Sequence, residues 1–134
     1  MNHETLPLYV IMKALEQKTK IGLIFPRFEL AIRFCDKIAT ITKEITDKYQ
    51  VLKYADFYRI TIGDSELMFF PANQEYTYSR RLDEYIFVGR KDISNDLIET
   101  VMAGFGVIAD NVIVELGSDI SIIKRNNNIF PCLQ

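Results

Sequence analysis

The chain has 134 residues, 49% of them hydrophobic and 25% charged, close to the proportions of an ordinary soluble globular protein. That balance excludes a disordered tail, a collagen-like repeat and a disulfide scaffold. With 16 Lys and Arg against 18 Asp and Glu, the net charge is −2, which excludes both a strongly basic nucleic-acid binder and a heavily acidic mimic of duplex DNA.

Leu8, Ile11, Met12 and Leu15 recur at helical spacing and predict a helix over 6–17, with Thr5 as its cap and Pro7 tolerated in the first turn. After a polar break at Lys18-Thr19-Lys20, residues 21–25 form a continuous apolar run, the pattern of a strand buried on both faces, and Pro26 stops it. A long helix is predicted from Arg27 or Phe28 to about Lys48. Its apolar stripe is Phe28, Ala31, Ile32, Cys35, Ile38, Thr42, Ile45 and Tyr49, widened by Leu30, Phe34 and Ile41. Arg33, Asp36, Lys37, Lys43, Glu44 and Asp47 read as its solvated face.

Residues 58–62 and 66–70 read as a hairpin around Gly63-Asp64-Ser65. An irregular stretch containing Tyr76 and Tyr78 runs to Arg81. Residues 84–88 repeat the buried-strand pattern and end at Gly89. Ser94 caps a helix over about 95–104, with Leu97, Ile98, Val101, Met102 and Phe105 as its apolar face and Gly104 and Gly106 as its stop. Two further β segments, 111–116 and 119–124, meet at Gly117-Ser118, and a tail begins at Asn126. This order predicts an α/β fold: a single domain over 1–134, a layered sheet with helices on both faces and antiparallel hairpin additions.

No apolar run approaches the ~20 residues that span a bilayer, and Met1 to Thr5 lack the basic start of a secretory signal. The expected setting is cytoplasmic, away from membranes. Cys35 and Cys132 form no C-x-x-C pair, and Cys35 reads as a buried thiol. His3, the single histidine, reads as a solvated terminal residue, too little for a zinc site or a Ser/His/Asp system. No metal and no cofactor are expected. Neither G-x-G-x-x-G nor G-x-x-x-x-G-K-[ST] occurs.

Several strings in this order resemble the ATPase domain of phage DNA-packaging motors, the terminase large subunits. Leu6 to Glu16 looks like the helix that follows the phosphate loop. Lys20 to Arg27 resembles the next strand and its turn. The helix from Phe28, the hairpin after it, and Ser79-Arg80-Arg81-Leu82-Asp83 are similar in kind and order. Residues 84–88 match the apolar Walker B strand, and Asp92 to Glu99 resemble the helix beyond it. The likeness covers 6–105, leaving 106–134 as a C-terminal hairpin and tail. It implies a P-loop-NTPase-like core. Two departures imply that this core is degenerate: the chain starts where the phosphate loop would have ended, and Gly89-Arg90 stand where the family places its Asp-Glu pair. The resemblance therefore assigns no catalytic residue, and ATP hydrolysis is not expected.

Ligands of open α/β sheets bind beyond the carboxyl ends of the strands. Arg27 and Arg90 are expected on that rim, with Arg80 and Arg81 in a nearby loop, placed to grip phosphates or a partner's carboxylates. The competing reading is ordinary surface arginines or salt bridges to Asp83, Glu84 and Asp92. Tyr54, Phe57, Tyr58 and Tyr85 are best explained by packing, whereas Tyr76 and Tyr78, in a loop beside Arg80, are candidates for an interface. These features point first to a non-catalytic phage or mobile-element protein that regulates or inhibits a host or viral protein by binding it. A nucleic-acid-binding accessory of packaging or recombination is the alternative. A metal-dependent nuclease built on Asp64, Glu66, Asp83 and Glu84 is a third reading, though Asp64 is accounted for by the turn. An edge strand from either hairpin would offer a surface for a homodimer.

Overall fold

The two continuous apolar runs lie side by side at the centre of one sheet. The structure, a computed structural model, describes residues 3–73, 82–104, 111–115 and 119–125. Among these, seven strands pair: β1 (Lys20–Phe25), β2 (Tyr49–Lys53), β3 (Tyr58–Ile62), β4 (Ser65–Pro71), β5 (Glu84–Val88), β6 (Asn111–Glu115) and β7 (Ile120–Arg125), in the order β2-β3-β4-β1-β5-β7-β6. β1 is parallel to β4 and to β5. The remaining pairings are antiparallel. All of β5 and all of β1 after Lys20 are buried, which is why these strands carry no polar alternation.

Helices cover both faces, as expected. α1 (Leu6–Glu16) and α2 (Phe28–Ile45) lie on one side and α3 (Asn95–Gly104) on the other. Ile21, Leu23 and Phe25 of β1 face the first layer, where Val10, Ile11, Ala31, Phe34, Cys35 and Ile38 meet them. Ile24 faces the second, with Phe70, Phe87, Leu97 and Val101. Gly22 also points there, and a Cβ at this position would lie 2.5 Å from Leu82 Cδ1. The bare glycine is thus what lets Leu82 settle on the sheet. Burial, and then Asp36 beside it, pushes the Cys35 thiol up to about 12. Met102 and Phe105, assigned to the apolar face of α3, and Cys132 lie outside the described side chains.

The structure departs from the sequence pattern in three places. α2 ends at Ile45, not Lys48: Thr46 is already extended at φ −148 and ψ 153, and Tyr49, assigned to the helical stripe, opens β2. Tyr49 was thus claimed by apolar spacing that fits both periods, and the edge strand it opens was not predicted. α1 buries Leu6, Pro7, Val10, Ile11 and Ala14, whereas Leu8, Met12 and Leu15 are about half exposed. The buried face is rotated because Tyr9 and Lys13 turn toward β5, where Glu84 is only 4% exposed. Lys13 donates to Glu84 Oε1, and the Tyr9 hydroxyl donates to Oε2 at 3.3 Å. The carboxylate raises the Lys13 ammonium pKa against the opposing effect of its own burial. Finally, β2 covers β3, so the sheet's edges are β2 and β6. The β3–β4 hairpin offers no free edge to a second copy.

Candidate functional site

β1 and β5, being parallel neighbours, end together, and the chain leaves both at the same edge. β1 runs into Pro26 and Arg27 and then α2. β5 runs into Gly89 and a 3-10 turn over Arg90–Asp92. Gly89 takes a left-handed conformation with φ +78, and a Cβ there would lie 2.9 Å from Pro26 Cγ. A side chain would therefore be strained as well as crowded. The amides of Gly89 and Arg90 both donate to the Asp119 carbonyl, at 2.9 and 3.0 Å, which fixes the turn against the entry to β7.

Between these turns and α2 lies a cleft of ≈ 380 Å³. Its floor is apolar: Phe25, Leu30, Phe34 and Val88, with Pro26. The Phe25 and Phe34 rings meet at 5.3 Å between centroids. Its rim is charged, with Arg33 and Lys37 from α2, Lys91 and Asp92 from the 3-10 turn, and His3 and Asp119. Asp119 Oδ2 lies 3.2 Å from His3 Nε2, so the histidine read as a solvated terminal residue is part of the cleft wall. Asp119 Oδ1 is buried and takes no donor among the described residues. Arg33, Lys37 and Lys91 are exposed, and among the described residues they carry no ion pair.

Of the arginines proposed from the sequence, Arg27 and Arg90 lie at this edge but outside the cleft. Arg27 flanks it, exposed and 3.9 Å from Glu29. Arg90 donates through Nη2 to Asn95 Oδ1 at 3.1 Å. Tyr76, Tyr78, Arg80 and Arg81 lie outside the described residues. The structure brings in Arg33 and Lys37 instead, which the sequence pattern assigned to a solvated face. Their signal was their position: four residues apart they share a helix face, in the first turns after a buried strand.

Among the described residues, Arg27 and Arg90 make no salt bridge to Asp83, Glu84 or Asp92. Glu84 pairs with Lys13, and Asp83 Oδ2 accepts from the Lys20 amide at 2.9 Å and from the Thr19 hydroxyl. Glu66 is held between Arg59 at 3.0 Å and Lys20 at 3.5 Å, and Asp64 sits exposed in the hairpin turn. Among the described residues, no three His, Cys, Asp or Glu side chains gather as metal ligands. The other aromatics pack. Tyr54 stacks on Phe57 at 4.8 Å, Tyr58 sets its edge against Phe28, and Tyr85 is buried. No described helix is long and apolar enough to cross a membrane.

No protein-family model matches the chain, and no curated protein does. Among solved structures it is similar to the large terminase from a thermophilic bacteriophage, with a TM-score of 0.54 and 13% identity over 75% of this chain. A second structure of that terminase, in complex with ATP-gamma-S, gives 0.53 and 14% over 77%. The match covers 26% of the terminase chain in both cases. The α/β fold is thus terminase-like, and the matched part of the chain spans about a quarter of that larger protein's length.

Proposed function

We propose that this chain is a non-catalytic binding module on a terminase-like fold, of phage or mobile-element origin, and that its working surface is the carboxyl edge of β1 and β5. The observation that carries this reading is the cleft itself. Three cations without an ion pair among the described residues stand around an apolar floor, at the place where α/β sheets bind their ligands. Arg90 is the ground for reading the module as non-catalytic. It follows Gly89 directly after β5 and sets a positive charge where the terminase resemblance would require a carboxylate to hold Mg²⁺.

The partner is a protein, in keeping with the near-neutral net charge of −2 and with Asp92 and Asp119 interrupting the basic rim. Binding it would regulate or inhibit a host or viral system. The test is capture by the tagged full chain from lysate of the cells that carry the gene, with and without nuclease. A discrete protein retained after nuclease, and lost with Arg33→Glu plus Lys91→Glu, is the expected result. Capture that disappears with nuclease, with nucleic acid co-purifying when nuclease is omitted, would replace this reading by the nucleic-acid accessory. Arg27 and Arg90, flanking the cleft, are the observation that favours that second reading.

A further inference from the structure

Resting on the reading that a protein partner seats in this cleft, the geometry points to the class of segment it takes: a peptide carrying one apolar side chain next to a carboxylate. The floor of Phe25, Leu30, Phe34 and Val88 has no charged group of its own, so what enters it must be apolar. The cleft, at ≈ 380 Å³ and open to solvent on one side, has room to receive a side chain. An apolar anchor inserted there would bring the adjoining group up to Arg33, Lys37 and Lys91. A carboxylate is the group that an arginine fork with two ammonium neighbours receives best, by charge-assisted hydrogen bonds.

Charges of both signs on the rim separate this ligand from a nucleic-acid strand. A run of phosphates would meet Asp92 and Asp119 as well as the cations, and like charges held close are repelled. A peptide suits both signs, because it brings backbone N–H donors to Asp92 along with its carboxylate to the cations. Specificity would then come from the pairing of an apolar and an anionic group at a fixed spacing, not from charge alone.

The probe is N-acetylphenylalanine, which carries the aromatic body, the amide N–H and the carboxylate. N-acetylphenylalaninamide lacks the carboxylate, and N-acetylaspartate lacks the apolar body. Amide shifts of the full chain are followed by NMR. A fragment of this size is expected to bind with a Kd of about 1 mM, with shifts confined to Gly89, Lys91, Asp92 and the first turns of α2. Both control compounds should bind about 5-fold or more weakly. Arg33→Gln plus Lys37→Gln, on exposed positions that do not support the core, should weaken the probe by the same factor while leaving the thermal midpoint unchanged.

Equal binding of the amide, or shifts elsewhere on the surface, would overturn the inference. So would inorganic phosphate moving the same amides at lower concentration than the probe, since the site would then select phosphate. The two proposals fail separately. A partner captured through Arg33 and Lys91 with no response to N-acetylphenylalanine would leave the binding module standing and remove this ligand. A fragment that binds as described, with no protein captured, would do the reverse.

Discussion

Replacing Lys13 with Met takes away the cation that faces Glu84 and leaves the carboxylate where it is. Glu84 is 4% exposed, and its side chain has Lys13 on one oxygen and the Tyr9 hydroxyl on both. Breaking a buried ion pair by removing one partner costs ~3–5 kcal/mol. Lys13 keeps 26% of its side chain in contact with solvent and Tyr9 still donates, so the low end applies, about 3 kcal/mol. With a urea m-value of ~2 kcal/mol per M for a domain of this size, the midpoint should fall by about 1.5 M. The assay is urea unfolding followed by circular dichroism. The same measurement on Lys13→Met combined with Glu84→Leu should recover most of the loss, because the desolvated charge is then gone and only packing differs. A single variant shifted by less than ~0.5 M at unchanged m, or a double variant less stable than the single, would refute the account of Glu84 as a buried charge held by Lys13.

Both Lys13 and Tyr9 have their pKa raised in the folded protein: Lys13 through Glu84 despite burial, and Tyr9 through burial first and then Glu84. A raised folded value means tighter proton binding in the native state, so this stability is full below the unfolded values of 10.0 and 10.5 and is lost as pH rises through the folded ones. Unfolding midpoints taken from about pH 8 to 12 should fall from about pH 10 upward, less steeply in Tyr9→Phe. Cys35, fully buried with its thiol pushed up to about 12, should react with a thiol reagent at about pH 8 only as fast as the protein opens, so reactivity matching that of a free thiol would contradict its burial. Gly89→Ala should cost about 1–3 kcal/mol, since it strains a left-handed residue and presses a methyl group on Pro26. Calorimetry checks it, and a change below ~0.5 kcal/mol would mean the turn is free to adjust.

Most of the fold was legible because its elements carry strong local signals. The apolar runs of β1 and β5 are too short for helices and are stopped by Pro26 and Gly89, and the stripe of α2 keeps one period over most of its length. β2 was not legible, since Tyr49, Val51 and Leu52 follow a helix closely enough that either period accommodates Tyr49. What decides is the backbone at Thr46 and the pairing with β3. The face of α1 was missed for a tertiary reason: apolar spacing favoured Leu8, Met12 and Leu15, but the partner for Lys13 lies in β5, distant in sequence. The site was half legible. Strand ends located the edge at which the cleft lies and placed Arg27 and Arg90 beside it, but which cations surround the concavity depends on where α2 sits relative to the turn after β5. His3 could not have been placed from sequence, since its partner Asp119 is near the other end of the chain.

β1 has a further consequence, for how the protein comes into being. Its partners on both sides are made much later than it is: Lys20 pairs with Glu66 in β4, and Ile21 with Glu84 in β5. As the chain emerges from the ribosome, this apolar ribbon must wait without its full set of neighbours until Val88 has been added. Pairing of this range closes long loops before any contact rewards them, which slows folding and prolongs the exposure of a sticky strand. α1 and α2, on either side of β1 in sequence, are complete by Ile45 and share a core with Ile21, Leu23 and Phe25. They are the native cover that one face of this strand can have during that interval.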